Sequence, residues 1–208
     1  MKYEAIIFDF DGTLVISNQI KYETYFEVFM PYNIEAKLLI KVLKKWPELN
    51  RYETIKKIIE ISNIKLNALS IAKRYSYIIQ QKIYLAANLK YAVDLLDYLD
   101  RNHILLFLSS NTPKKYLNNL INNRGWTIYF KAIFGYPNSK AVSVRTILKD
   151  FELKPSKVLI IGDGTSDKES AIINNTDFIL VKGNSLLPVI KKMGIKYKLS
   201  NQAILFIR

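Results

Sequence analysis

The segment YEAIIFDFDGT, residues 3–13, is a short apolar, β-prone run that breaks off in turn-forming residues. It predicts a buried strand ending at Asp11-Gly12-Thr13. Positions i and i+2 of a strand point to the same side, so the carboxylates of Asp9 and Asp11 can share one pocket at the strand's end. Gly12 lets the backbone turn sharply and pass close to a ligand. Two carboxylates this near repel each other unless a cation or a shared proton compensates. Taken alone, the same string also describes an exposed Asp-Gly turn after any strand.

Downstream the pattern changes twice. From Ser17 to about Lys90 the spacing is helical throughout. Ser17 or Asn18 can cap a helix carrying Tyr22, Tyr25, Phe26 and Phe29, and a second helix with Leu38, Leu39, Val42, Leu43 and Trp46 stops at Pro47. Asn50 and Glu53 form a capping-box pattern ahead of Ile55, Ile58 and Ile59. Asn67 can cap a longer helix with Ile71, Tyr75, Ile78 and Ile79. Beyond this stretch helices and strands alternate. The strands are ILLFLSSN, ending at Ser109, a short one over 132–135, KVLIIGD, ending at Asp163, and DFILVKG, with a last helix after Asn184. Such alternation predicts a doubly wound parallel sheet with helices on both faces, an α/β fold. The expected organisation is an α/β core of residues 1–15 and 89–208, with an α-helical insertion over 16–88.

Sheets of this kind bind ligands outside the carboxyl ends of their strands, where the strand order reverses. Asp9, Asp11, Ser109, Ser110, Asp163 and Asp167 all fall at those ends, so a single site is expected. Asp167 lies in the first turn of a helix starting near Ser166, where the helix dipole also suits a plain helix-start acid. With no histidine or cysteine among them, these carboxylates offer oxygen alone. That donor set favours a hard cation, Mg²⁺ above all. Ser109 and Ser110 bring hydroxyls and a backbone N–H suited to phosphate, and Lys140, ahead of the helical AVSVRTILKDF, brings a cation. Each also has a plainer reading, as a loop serine or one lysine of many. The single histidine, His103, is read as a surface or capping residue at a helix–strand turn, because it has no partner cluster.

The 208 residues suit one α/β domain with an insertion, or two small domains. The absence of cysteine excludes disulfides, zinc–thiolate sites and cysteine nucleophiles. No stretch approaches the ~20 apolar residues of a membrane span. The N-terminus lacks the apolar region and cleavage site of a signal peptide. A cytoplasmic protein without membrane partners is therefore expected. Lys and Arg outnumber Asp and Glu by 31 to 18, a net charge of +13. The excess is dispersed as lysine pairs along helical segments, without a basic tail or an Arg-rich run. It reads as compositional rather than as a nucleic-acid footprint, although its field would attract a phosphorylated substrate.

These residues together resemble the haloacid dehalogenase superfamily of phosphohydrolases, in particular its phosphoglycolate-phosphatase-like branch with a helical cap. The family's DxDGT motif matches Asp9-Phe10-Asp11-Gly12-Thr13. Its strand-end Ser or Thr matches Ser109, with Ser110 the other register. Its helix-preceding Lys matches Lys140 within NSKAVSV, and its GDxxxD matches residues 162–167. The resemblance implies that Asp9 is a nucleophile that becomes an aspartyl phosphate, and that Asp11 is the general acid and base. It implies that Mg²⁺ is held by Asp9, the backbone carbonyl of Asp11, Asp163 and, through water, Asp167. Ser109, the Ser110 N–H and Lys140 would hold the phosphoryl oxygens. The insertion would close over the site as a cap, with Asn18 and Lys21 facing a small phosphorylated metabolite such as a phosphosugar or a phosphoglycolate-like compound. In two places the chain departs from the pattern. Ile16 stands where many relatives carry an acidic residue, and Gly164 where serine is common; both bear on substrate and cap motion rather than on the chemistry. Dehalogenases of the superfamily lack the second aspartate, so Asp11 argues against that reaction. A phosphomutase or phosphotransferase, or a non-catalytic phospho-ligand-binding protein on the same scaffold, are the alternatives. Intact Asp9, Asp11, Lys140 and Asp163 weigh against the last.

Overall fold

A computed structural model describes residues 2–47, 49–199 and 204–206. Five strands, β1 (Ala5–Phe8), β2 (Leu105–Pro113), β3 (Phe130–Tyr136), β4 (Val158–Gly162) and β5 (Asp177–Leu180), form one sheet in the order β3-β2-β1-β4-β5. Every pairing in it is parallel. The helices follow in chain order: α1 (Asn18–Phe29), α2 (Ala36–Lys45), α3 (Arg51–Ser62), α4 (Ala68–Tyr84), α5 (Ala92–Arg101), α6 (Lys114–Asn123), α7 (Lys140–Asp150), α8 (Thr165–Asn174) and α9 (Leu187–Lys192).

The apolar run of β1 explains its central place, because all four of its residues are buried and a strand buried on both faces must be covered twice. On one face, Ala5, Ile7, Phe107, Val158 and Ile160 pack with Val144 and Ile147 of α7 and Ala171 of α8. The alternate residues Ile6, Phe8, Leu106, Leu108, Leu159 and Ile161 are equally buried and point to the other face. There α5 lies against β2 and α9 against β5, contributing buried Leu95, Leu96, Leu99, Val189 and Ile190. Each such side chain contributes about 1.5–3 kcal/mol. The chain leaves β1 toward β2 and β3, then returns to β4 on the other side of β1. The crevice at the carboxyl ends of β1 and β4 is therefore the reversal point where a ligand site is expected.

The chain forms two compact units, Met1–Ile16 with Ala87–Arg208, and Ser17–Ala86. The second is a four-helix unit of α1 to α4 whose buried side chains include Val28, Phe29, Leu39, Val42, Ile55, Ile58, Ile71 and Ile79. The capping box of Asn50 and Glu53 is present in both directions, at 3.0 Å and 3.1 Å, and Asn67 accepts the Ser70 N–H at 2.9 Å. Tyr75 is buried; its hydroxyl donates to the Lys21 carbonyl at 2.9 Å, and the Arg51 guanidinium lies 4.8 Å from its ring centroid.

The structure departs from the sequence reading in three places. The buried side of α1 is Thr24, Val28 and Phe29. Tyr22 and Phe26, spaced as core residues, instead pack on each other at 5.2 Å between ring centroids and stay half-buried. Strand β2 runs to Pro113, past the expected end at Ser109, because Tyr136 of β3 pairs with Pro113. A short antiparallel pair of strands, β6 (Tyr197–Leu199) and β7 (Ile204–Phe206), was not expected. Its three-residue strands carry too little pattern to read, and it is anchored by Phe206 stacked on Tyr98 at 4.2 Å. His103 sits exposed at the turn before β2 with φ 58°. Among the described residues no helix is long and apolar enough to cross a membrane.

Candidate active site

The register of the sheet brings the strand-end residues level with one another. Phe8 stands opposite Leu108 on one side and Ile161 on the other, so Asp9, Ser109 and Gly162-Asp163 leave the sheet together. The Asp9 N–H continues the ladder to the Ile161 carbonyl at 2.9 Å. Beyond it, Gly12 takes φ 76° and its N–H donates to the Val15 carbonyl at 2.8 Å, closing a tight loop. The left-handed backbone there is the reason for glycine.

Lys140 is the hub of the acidic cluster. Ser139 caps α7 by accepting the Val142 N–H at 3.3 Å, which fixes Lys140 as the first residue of the helix. Its ammonium lies 2.8 Å from Asp9 Oδ1 and 2.7 Å from Asp167 Oδ1, with all three side chains buried. Asp167, in the first turn of α8, also accepts the Gly164 N–H on Oδ2 at 3.2 Å. Asp167 is thus a first-turn acid of α8 that also lies in the acidic cluster. Gly162 makes the arrangement sterically possible, since a Cβ there would stand 2.2 Å from Asp167 Cγ. One carboxylate oxygen each from Asp9, Asp163 and Asp167 lie within 4.8 Å of one another.

Burial dominates the electrostatics of the acidic cluster. Burial is the main force pushing the Asp9 carboxyl up, to about 7; Lys140 opposes it, while Asp167, Asp11 and Asp163 add to it. Burial likewise raises Asp167 against the pull of Lys140. Burial works against the Lys140 ammonium too, yet Asp9 and Asp167 outweigh it and hold the proton on more tightly than usual. Lys140 offsets only part of the cost of burying Asp9 and Asp167. Their donors are all oxygen, which fits a hard divalent cation.

Asp11, also buried, takes a different partner. Its Oδ2 accepts the hydroxyl of Thr112 at 2.7 Å, a residue the sequence reading passed over because SSNTP looked like a loop past the strand's end. The continuing alternation from Ser110 to Thr112 was the signal available. The two serines also part company. Ser110 Oγ accepts the Thr112 N–H at 3.1 Å. The buried Ser109 Oγ has no hydrogen-bond partner among the described residues. Thr13, likewise not singled out from sequence, places its hydroxyl 3.5 Å from Asp9 Oδ2.

Asp9, Asp11, Ser109, Ser110, Lys140, Asp163 and Asp167 thus all lie in the sheet-bearing unit. Asn18 and Lys21 do not: they belong to the first helix of the helical unit, Asn18 exposed and Lys21 half-buried.

The family model described as haloacid dehalogenase-like hydrolase matches residues 6–181. No curated protein matches by sequence. Among solved structures, the chain is similar to a Clostridium difficile protein provisionally named a phosphatase, at TM-score 0.70 and 20% identity over 89% of this chain and 88% of that one. It is similar to a Thermotoga maritima protein provisionally named a β-phosphoglucomutase, at TM-score 0.69 and 20% identity over 89% and 90%. A third is a Bacillus subtilis protein, provisionally named a HAD-hydrolase and bound to magnesium, at TM-score 0.74 and 14% identity over 94% and 100%.

Proposed function

Because the chain belongs to the haloacid dehalogenase-like hydrolases, we propose that it is a Mg²⁺-dependent phosphatase of small phosphomonoesters that works through an aspartyl phosphate on Asp9. The observation that carries this reading is the division of labour between neighbouring carboxylates. Asp9 is paired with the Lys140 ammonium, whereas Asp11, two residues on, accepts the Thr112 hydroxyl and lies in the field of the Arg124 guanidinium. The first suits a nucleophile, because the ammonium favours its ionised form against the burial that raises it. The second suits a group that gives and takes a proton.

In this reading an Asp9 oxygen attacks phosphorus as the bond to the alcohol oxygen breaks, and Asp11 protonates that departing oxygen. Water then attacks the aspartyl phosphate and gives a proton to Asp11, and the bond from Asp9 to phosphorus breaks to release phosphate. The partnerless Ser109 hydroxyl and the Ser110 N–H donate to phosphoryl oxygens, beside the Lys140 ammonium. Asp9, the Asp11 carbonyl and Asp163 would hold Mg²⁺, with Asp167, already engaged by Lys140 and Gly164, reaching it through water. When bound, the ion supplies the positive charge that lets an anionic carboxylate approach an anionic phosphate.

The helical unit is the cap of this reading, and Asn18 and Lys21 are its substrate-facing residues. The neck through which the chain enters and leaves that unit supports the assignment. Val15 bridges Asp11 on one side and Asn88 on the other, the Ile16 N–H donates to the Ala87 carbonyl at 2.8 Å, and the Leu89 N–H donates to the Leu14 carbonyl at 2.8 Å. A paired neck that starts at the acid residue can serve as a hinge, and closure excludes water. The test is phosphate release from p-nitrophenyl phosphate with Mg²⁺ and after chelation, together with acid-quench trapping of a hydroxylamine-sensitive phosphoprotein. Turnover unaffected by chelation, or an Asp9→Asn protein that is still labelled, refutes the reading.

A further inference from the structure

Where Lys140 stands depends on how α7 meets α8, and a buried amide lies on that seam. In α8, Asp167, Ser170 and Asn174 recur at i, i+3 and i+7, which places them on one helix face. All three are buried. Asp167 takes the Lys140 ammonium at 2.7 Å. Asn174 Nδ2 donates to the carbonyl of Ala141 at 3.1 Å and, within its own helix, to the carbonyl of Ser170 at 2.8 Å. Ser170 Oγ in turn donates to the Asp167 carbonyl at 2.7 Å. Both acceptors of the amide are carbonyls, so its nitrogen must be the end that faces them. Asparagine is a poor helix former, and burying an amide is costly unless its bonds are made; the bond across to Ala141 accounts for it here. α8 therefore holds α7 twice, through the side chain of residue 140 and the main chain of residue 141. One link alone would leave a pivot. Two links about 10 Å apart along α8 fix both the height and the rotation of the first turn of α7.

We propose that Asn174 is a positioning residue for Lys140: by holding the carbonyl of the next residue, it fixes where the lysine stem leaves α7 and keeps the ammonium between Asp9 and Asp167. The stem is a flexible four-carbon chain, so its tip is placed by its origin as much as by its partners. This rests on the phosphatase reading above, in which the same ammonium lies beside the phosphoryl oxygens. A plain packing role for Asn174 would lower stability and leave phosphate handling as it was. A positioning role lowers both.

The experiment measures kcat and KM for p-nitrophenyl phosphate with Mg²⁺, the inhibition constant of inorganic phosphate, and the melting midpoint. Asn174→Leu keeps the size of the side chain and removes both donors. It is expected to lose on the order of 10-fold in kcat and to weaken inhibition by inorganic phosphate by roughly the same factor, as a slight misplacement of the charge would. Ile147→Val is the control, because it thins the buried packing of α7 further along the helix from Lys140. It should lower the melting midpoint by a few degrees and change both constants by less than about 2-fold. If the leucine variant does not fold, Asn174→Ala removes the donors without added bulk and reads the same comparison. An Asn174 variant that melts lower but keeps both constants within the control's margin overturns the proposal while leaving the phosphatase reading standing. Equal kinetic losses in Ile147→Val, or the failure of both Asn174 variants to fold, do the same, since either makes the role structural. Parent protein that releases no phosphate overturns both.

Discussion

Replacing Gly162 by alanine tests how the acidic cluster is built. The added Cβ would lie 2.2 Å from Asp167 Cγ and 2.5 Å from its Oδ2, whereas ordinary contact begins near 3.4 Å. Gly162 closes a buried central strand whose Cα is paired to Leu180 of β5, so the backbone has little freedom and the Asp167 side chain must give way by about 1 Å. The bond from Lys140 to Asp167 is 2.7 Å and the one from Gly164 N–H is 3.2 Å; a shift of that size takes both to or past the limit of a hydrogen bond. Lys140 would keep Asp9 but lose the anchor that aims it. Overpacking of this kind costs about 1–3 kcal/mol, and a misplacement of about 1 Å can cost up to on the order of 10²-fold in rate. The melting midpoint should fall by roughly 2–12 °C, and phosphate release should drop by roughly 10–100-fold. Gly164→Ala is the matched control, because its Cβ would meet Asp167 Oδ2 at 3.4 Å and its φ of −108° suits alanine. It should stay within about 0.5 kcal/mol of the parent. If the two substitutions behave alike in both assays, the steric account of the cluster is wrong.

Lys140→Met should abolish measurable turnover and destabilise the fold by about 3–5 kcal/mol, since it leaves buried carboxylates without their counter-charge; chemical denaturation reads the loss. Asp9→Asn should also end turnover, but at pH 8 without Mg²⁺ it should melt no lower than the parent, because it removes a carboxylate that burial opposes. The same residue sets a pH dependence. A carboxyl whose folded pKa is raised favours the fold while protonated, and that contribution is lost as pH rises from about 4 to about 7. Thermal stabilisation by Mg²⁺ should therefore grow between pH 5 and pH 8, and a flat or falling response would contradict the metal-ligand role of Asp9. Asn50→Ala removes one half of the capping box of α3 and should cost about 1 kcal/mol, seen as faster hydrogen exchange in the helical unit.

Much of the fold was legible because it rests on periodicity. The apolar runs 5–8 and 158–162 are buried on both faces and carry no polar interruption, which is the signature of central parallel strands. Asp9 and Asp163 could be located from where those runs end. Lys140 was legible only through its order among the motifs. Nothing in its neighbourhood says that a lysine at the first position of a helix will be buried between two carboxylates, and the chain holds 31 basic residues to choose from. Thr112 was illegible for another reason. Strand extension there depends on a register slip against β3 and on the close approach that Gly135 permits, and both are properties of a partner strand. The Tyr and Phe spacing of α1 misled because aromatic side chains can satisfy one another at a half-exposed surface.

The chemistry of the site follows from the same long-range dependence. Asp9 and Asp11 are adjacent alternating positions on one strand end, and local sequence gives them no difference beyond order. Their different partners come from elements far along the chain: α7 delivers an ammonium to Asp9, and the overrun of β2 delivers a hydroxyl to Asp11. These two partnerships require the strand order in which β1 lies between β2 and β4. That order sets the end of β2 beside one flank of β1 and, through β4 and α8, the acidic cluster beside the other.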